Sequence, residues 1–207
     1  FTSISEHFDA QGLTSFINRF LTPMTETLLS HNATIDKYMG DAIMAFWNAP
    51  LDDAQHAANA CRAAIKMQQE VIRLDGIWKA EAEAEGRIHH PIRVGVGVNS
   101  GNACVGNLGS DQRFDYSVLG DDVNLASRLE GQSKTYGVGI IVGENTCRLA
   151  PDFATLEIDL IQVKGKTKPA RIFVLVGDES YSAAPEFSAL RECHRTMIDN
   201  YRARDWA

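Results

Sequence analysis

Three short stretches hold residue types that could work on an anionic ligand. Lys37-Tyr38-Met39-Gly40-Asp41 sets a cation and a carboxylate around a turn. With no side chain on Gly40 in the way, the Asp41 carboxylate suits a hard divalent cation such as Mg²⁺. In Asp121–Glu130 (DDVNLASRLE), Asn124 and Arg128 stand four apart, so a helix sets both on one face. An amide and a guanidinium so placed can grip a ribose and a phosphate, and Arg matches developing phosphate charge. Val163-Lys164-Gly165-Lys166 puts two lysines around a glycine, within reach of a polyphosphate. Taken singly, each stretch also reads as ordinary surface: a turn aspartate, an Arg paired with Asp121 or Glu130, and a solvated lysine turn.

The elements that would carry these residues alternate between helix and strand, which points to an α/β or α+β domain. Leu13–His31 has helical periodicity along one apolar stripe, with Pro23 inside it expected to kink the helix. Thr34–Tyr38 and Ala42–Trp47 read as a hairpin around Gly40-Asp41, although Asp-Gly is the more usual turn order. Asp52 and Asp53 offer N-cap chemistry for a helix over Ala54–Leu74. Lys79–Gly86 is either its solvated continuation or a loop. Ile92–Asn99 alternates Val and Gly, the pattern of a strand that another backbone or a ligand approaches closely. Ala103–Gly106 and Tyr116–Leu119 read as strands, and Asp122–Tyr136 reads as a helix capped by Asp121 or Asp122. Gly137–Val142, Thr155–Val163 and Ala170–Val176 read as further strands, and a last helix falls around Pro185–Tyr201.

Composition narrows the function classes. The 207 residues are 44% hydrophobic and 23% charged, enough for one medium domain with a real core. A net charge of −7 argues against non-specific nucleic-acid binding, which needs a basic surface to displace counterions. It leaves room for a nucleotide held by local Lys and Arg. Cys61, Cys104, Cys147 and Cys193 form no CxxC pair, so a reducing cytoplasm is the simpler setting. No apolar run is long enough to span a bilayer. The chain opens at Phe1 without an initiator Met and is read as a fragment, with any membrane or sensor region outside it.

The order of the stretches carries a resemblance. Phe1–Glu6 is similar to the run after the first metal-binding strand of class III nucleotidyl cyclases, and Ile35–Phe46 (IDKYMGDAIMAF) to their second metal motif. Arg93–Gly109 (RVGVGVNSGNACVGNLG), Tyr116–Glu130 (YSVLGDDVNLASRLE) and Val163–Lys166 (VKGK) follow in the family's order. The likeness covers roughly Phe1 to Val176, which implies a catalytic domain over residues 1–177 and a C-terminal helical extension over 178–207. The implied fold is α+β, a ferredoxin-like βαββαβ core with additional strands and helices.

The resemblance also implies roles. Asp41 matches a metal carboxylate, and the other carboxylate of the pair falls four residues before Phe1, outside this chain. Lys37 and Ser117 match the two residues that read the purine edge. Lys marks ATP where guanylyl cyclases carry Glu, because an ammonium donates to adenine N1 and cannot accept from guanine N1–H. Asn124 matches the residue that orients the ribose, and Arg128 the one that stabilises the transition state at the α-phosphate. Lys166, or less readily Lys164, matches the lysine on the terminal phosphates. Asn102 stands where some relatives carry a phosphate-binding Arg. The implied activity is a cytoplasmic adenylyl cyclase that turns ATP into cyclic AMP and pyrophosphate with two Mg²⁺ or Mn²⁺ per site. Its sites are shared across a homodimer. The alternatives are a guanylyl cyclase, disfavoured by Lys37, and an inactive cyclase-like module for dimerisation or nucleotide sensing. A diguanylate cyclase is set aside because its GG(D/E)EF hairpin is absent.

Overall fold

The computed structural model describes residues 9–162 and 169–204. These residues form two compact units. One contains the chain up to Val94 together with Val105–Val118, and the other Gly95–Cys104 with the residues from Leu119 onward.

In the first unit, helix α1 (Ala10–Ser30) begins at Asp9, whose carboxylate accepts from Gly12 N–H at 2.7 Å. It runs through Pro23 without interruption. Helix α2 spans His56–Ala84, ten residues beyond the expected end at Leu74, so the Ala- and Glu-rich run after Lys79 is its continuation. Neither Asp52 nor Asp53 is its N-cap; Gln55 takes that position, and Asp53 braces the first turn from outside. Asp53 Oδ1 accepts from Gln55 N–H and Oδ2 from the Asn59 amide. The two helices share a core of Phe20, Met24, Leu28, Ala63, Met67, Val71, Leu74 and Trp78.

Strands β1 (Thr34–Met39) and β2 (Ala42–Phe46) form the expected antiparallel hairpin, and Ile35, Ile43 and Ala45 pack on that helical core. Its two turn residues are Gly40 and Asp41. Gly40 has φ +65, a conformation that glycine adopts without steric cost, which is why the glycine comes first and the aspartate second. Strands β4 (Cys104–Ser110) and β5 (Arg113–Leu119) form a second hairpin, longer than the two short strands expected. Its turn is tied by Ser110 Oγ, which accepts from the N–H groups of Gln112 and Arg113.

The second unit is a mixed four-stranded sheet in the order β3-β6-β8-β7. Its strands are β3 (Val96–Val98), β6 (Ile140–Gly143), β7 (Ala154–Ile161) and β8 (Ala170–Gly177). Strands β3 and β6 run parallel through the crossover helix α3 (Asp121–Tyr136), and the other pairings are antiparallel. The expected strand over Ile92–Asn99 shrinks to three residues. A Cβ on Gly97 would stand 2.2 Å from the Ala126 carbonyl oxygen and 2.3 Å from Glu130 N, so glycine is what lets α3 lie against β3. Leu125 and Leu129 of α3 are buried with Ile141 and Ile172. The short helices α4 (Glu144–Leu149) and α5 (Glu179–Ser182) join elements, and α6 (Pro185–Ala203) buries Phe187 against Ala154, Leu156 and Val174. No described helix is long and apolar enough to cross a membrane.

Candidate functional site

A cluster of polar side chains lies where β1 meets β5 in the first unit. Lys37 Nζ is 3.3 Å from Ser117 Oγ, a contact across eighty residues of sequence. Ser117 is buried, 4% exposed, while the Lys37 side chain is about half exposed at 47%. Sequence reasoning paired these two residues; it missed a third. Asp36 Oδ2 accepts from Ser117 Oγ at 2.8 Å and from Val118 N–H at 3.3 Å. Its other oxygen faces Lys37 Nζ at 3.1 Å, at an angle poor for a hydrogen bond.

Local strand geometry explains how adjacent residues reach one target. Side chains of successive strand residues point to opposite faces. Between Ile35↔Ala45 and Lys37↔Met44 the ladder slips by one, leaving Asp36 without a Cα partner on β2. Such a bulge re-aims side chains, and here Asp36 and Lys37 both come to Ser117. The Asp36 side chain is fully buried. A buried carboxylate is tolerated when it is hydrogen-bonded and paired with a cation, and Asp36 has both. Read alone, TIDKYM sets Asp36 beside Lys37 as an ordinary charged pair, with no signal of the bulge that brings both to Ser117.

Asp41 is exposed in the β1–β2 turn, and its carboxylate has no hydrogen-bond or ion-pair partner among the described residues. It is an open, hard oxygen donor and fits one carboxylate arm of a Mg²⁺ or Mn²⁺ site. Among the described residues no three His, Cys, Asp or Glu side chains converge on a metal position.

In the second unit, Asn124 and Arg128 share one face of α3, about a quarter turn around the helix from the buried Leu125 and Leu129; Asn124 is exposed and Arg128 half-buried. The helix is not capped by Asp121 or Asp122, as the sequence suggested. Gly120 is the N-cap, and both aspartates lie in the first turn, where negative charge complements the helix dipole. Asp122 accepts from the Asn99 amide through its backbone oxygen at 3.0 Å and its Oδ1 at 3.3 Å, which fixes the start of the helix to the end of β3. Lys164 and Lys166 lie outside the described residues.

Comparison with known proteins decides the family. The family model for the adenylate and guanylate cyclase catalytic domain matches residues 1–177. The chain belongs to that family. This cyclase domain is 36% identical over 171 residues to an adenylate cyclase of Anabaena cylindrica, covering 80% of this chain and 32% of that protein. It is 33% identical over 141 residues to adenylate cyclase 1 of Rhizobium meliloti, covering 68% of this chain and 20% of that protein. The cyclase domain therefore spans a fifth to a third of the length of these relatives. Among solved structures it is similar to the adenylyl cyclase CyaB from P. aeruginosa, with 34% identity and a TM-score of 0.77 over 86% of this chain and 88% of that one. The α+β class read from the sequence is the class of this family.

Proposed function

We propose that the chain is the catalytic domain of an adenylyl cyclase, residues 1–177 with a C-terminal extension over 178–207. It would convert ATP to 3′,5′-cyclic AMP and pyrophosphate at sites shared by two copies of the chain. One observation carries the choice of ATP: an ammonium, Lys37, stands beside a hydroxyl, Ser117, whose proton is taken by Asp36. That pair offers a donor next to an acceptor, the complement of adenine N1 and its 6-amino group. Guanine reverses both positions, and polar sites reject reversed partners because buried groups are left unpaired.

Each remaining residue has a task in this reading. Asn124 orients the ribose so that its 3′-oxygen can attack the α-phosphorus in line with the departing pyrophosphate. Arg128, one turn further along α3, meets the charge that builds on the α-phosphate as the bond breaks. Lys166 holds the terminal phosphates. Asp41 would supply one carboxylate to a divalent-metal site, and Mg²⁺ or Mn²⁺ held there would favour loss of the 3′-hydroxyl proton and offset the phosphate charge. ATP as substrate, and four cysteines that form no disulfide, agree with a cytoplasmic setting.

The test is cyclic nucleotide formation by the full-length protein from ATP and from GTP, each with Mg²⁺ and with Mn²⁺. Cyclic AMP in excess over cyclic GMP supports the reading, and equal rates or no product reject it.

A further inference from the structure

We infer that Asp36 is a specificity-determining positioning residue, which makes the cyclase prefer adenine by locking the Ser117 hydroxyl as a hydrogen-bond acceptor. The inference rests on the proposed reading of Lys37 and Ser117 as the pair that meets the base.

A serine hydroxyl has one proton and two lone pairs, and left to itself it rotates to donate or accept as a ligand requires. A free serine therefore discriminates poorly between a 6-amino and a 6-oxo purine. Here its valences are assigned. A carboxylate can only accept, so the 2.8 Å contact with Asp36 Oδ2 takes the proton. An ammonium can only donate, so the 3.3 Å contact with Lys37 Nζ takes one lone pair. One lone pair remains, and a ligand that reaches this oxygen must donate to it.

Adenine does so with its 6-amino group while its N1 accepts from Lys37. Guanine and hypoxanthine present O6, a second acceptor, against the same lone pair. Asp36 cannot turn away to relax the restriction. Its side chain is fully buried, and Oδ2 is also held by the Val118 N–H at 3.3 Å. The one-residue slip in β1 exists at this residue and delivers both Asp36 and Lys37 to Ser117.

A purely structural role, tying β1 to β5, makes a different prediction: it would change stability and turnover of every nucleotide alike. The experiment measures kcat/KM of the full-length protein for ATP and for inosine triphosphate, which has O6 and no 2-amino group. Asp36→Ala should lower the ATP-to-ITP ratio by about tenfold or more, a part of the ~10⁴-fold discrimination that hydrogen-bonding pockets can reach. Asp36→Val, a side chain that strands favour, should lower it equally and replaces the alanine variant if that one does not fold. Asp36→Asn should keep the ratio within about threefold of wild type, because an amide oxygen held by Val118 N–H still accepts from Ser117.

In a Ser117→Ala background, Asp36→Ala should leave the ratio unchanged. A fall that persists there would mean Asp36 acts through Lys37 and would overturn the inference. So would apolar variants that discriminate as strongly as wild type. A wild-type protein that makes no cyclic AMP, or treats ATP and ITP alike, would overturn the proposed function and this inference together.

Discussion

Lys37 Nζ stands 3.3 Å from Ser117 Oγ because β1 carries an extra residue immediately before Lys37. Without that slip, Asp36 and Lys37 would face opposite sides of the strand, and only one of them could reach β5. The hairpin thus does two jobs within a few residues. Its bulge aims polar groups at Ser117, and its turn presents Asp41 at the other end of the strand.

The proposed base-reading role of Lys37 and Ser117 is tested by reversing the pair. Lys37→Glu with Ser117→Cys replaces a donor by an acceptor and removes a strong acceptor. The double variant should lose ATP turnover and gain relative activity on GTP, read as the ratio of kcat/KM values for the two nucleotides. A ratio unchanged from wild type would mean that other side chains read the base. Because Asp36 remains beside the introduced Glu, the conversion should be incomplete: two carboxylates at this spacing repel unless one is protonated.

Asp41→Asn should abolish metal-dependent turnover and leave the fold intact. The amide is nearly isosteric and sits exposed in a two-residue turn, so little packing changes. It lacks the charge that a hard divalent cation requires. Retention of more than about a tenth of wild-type kcat, a barrier change of only ~1.4 kcal/mol, would show that Asp41 is not an essential ligand. Circular dichroism separates this outcome from misfolding.

Much of this arrangement was legible in the residues, and the misses have physical causes. Periodicity exposed α1 and α3, because Leu125 and Leu129 alternate with polar residues at helical spacing. It understated α2, because the continuation past Leu74 is rich in Ala and Glu and has a weak apolar stripe, yet Trp78 and Ala82 are buried. It overstated β3, because Val-Gly alternation looks the same whether a strand pairs along its length or only over Val96–Val98. Asp36 was invisible for a different reason. A bulge depends on the register between β1 and β2, a property of the pair that neither strand shows alone.

The docking of the C-terminal helix depends on one aromatic residue. Phe187 is 1% exposed, packed with Ala154, Leu156 and Val174 at the start of α6. Phe187→Ala should cost about 3–5 kcal/mol, the range for removing a buried aromatic ring. Urea unfolding would read this as a lower midpoint at unchanged slope. If α6 comes away while the sheet holds, proteolysis after Gly177 should accelerate before the global midpoint moves.

Alkaline pH reports on the second unit. Burial, reinforced by the hydrogen bond from Tyr136 Oη to Asp159 Oδ2 at 2.7 Å, pushes the Tyr136 phenol from 10.0 up to about 12. The folded state therefore keeps a proton that the unfolded chain loses. This contribution to stability is fully present below about pH 10 and declines as pH rises from 10 toward 12. Tyr136→Phe should cost about 1.5–3 kcal/mol at neutral pH, the range for a hydrogen bond to a charged acceptor. The gap between variant and wild type should narrow above pH 10. Urea midpoints at pH 8, 10 and 11, with a gap that stays constant across them, would show that the phenol is not shifted.

The shared-site reading assigns Asp41 to one half of a site and Lys37, Ser117, Asn124, Arg128 and Lys166 to the other half, from the opposite copy. Two-fold symmetry then gives a homodimer two equivalent sites. Asp41→Asn and Arg128→Ala should each be nearly inactive alone, for different reasons. The Arg128 variant should bind ATP almost normally and turn it over slowly, because its charge matters chiefly in the transition state. Mixing the two variants makes dimers in which one site carries both lesions and the other carries neither. Random exchange at equal amounts makes about half of the dimers mixed, so activity should recover to roughly a quarter of wild type if the sites act independently. The measurement is cyclic AMP formation before and after subunit exchange, with exchange itself verified by differently tagged copies. Recovery requires that the metal carboxylate and the transition-state arginine of one site come from different chains. Mixtures that exchange subunits and stay as inactive as their parents would place both residues in one chain's site and reject the shared-site mechanism.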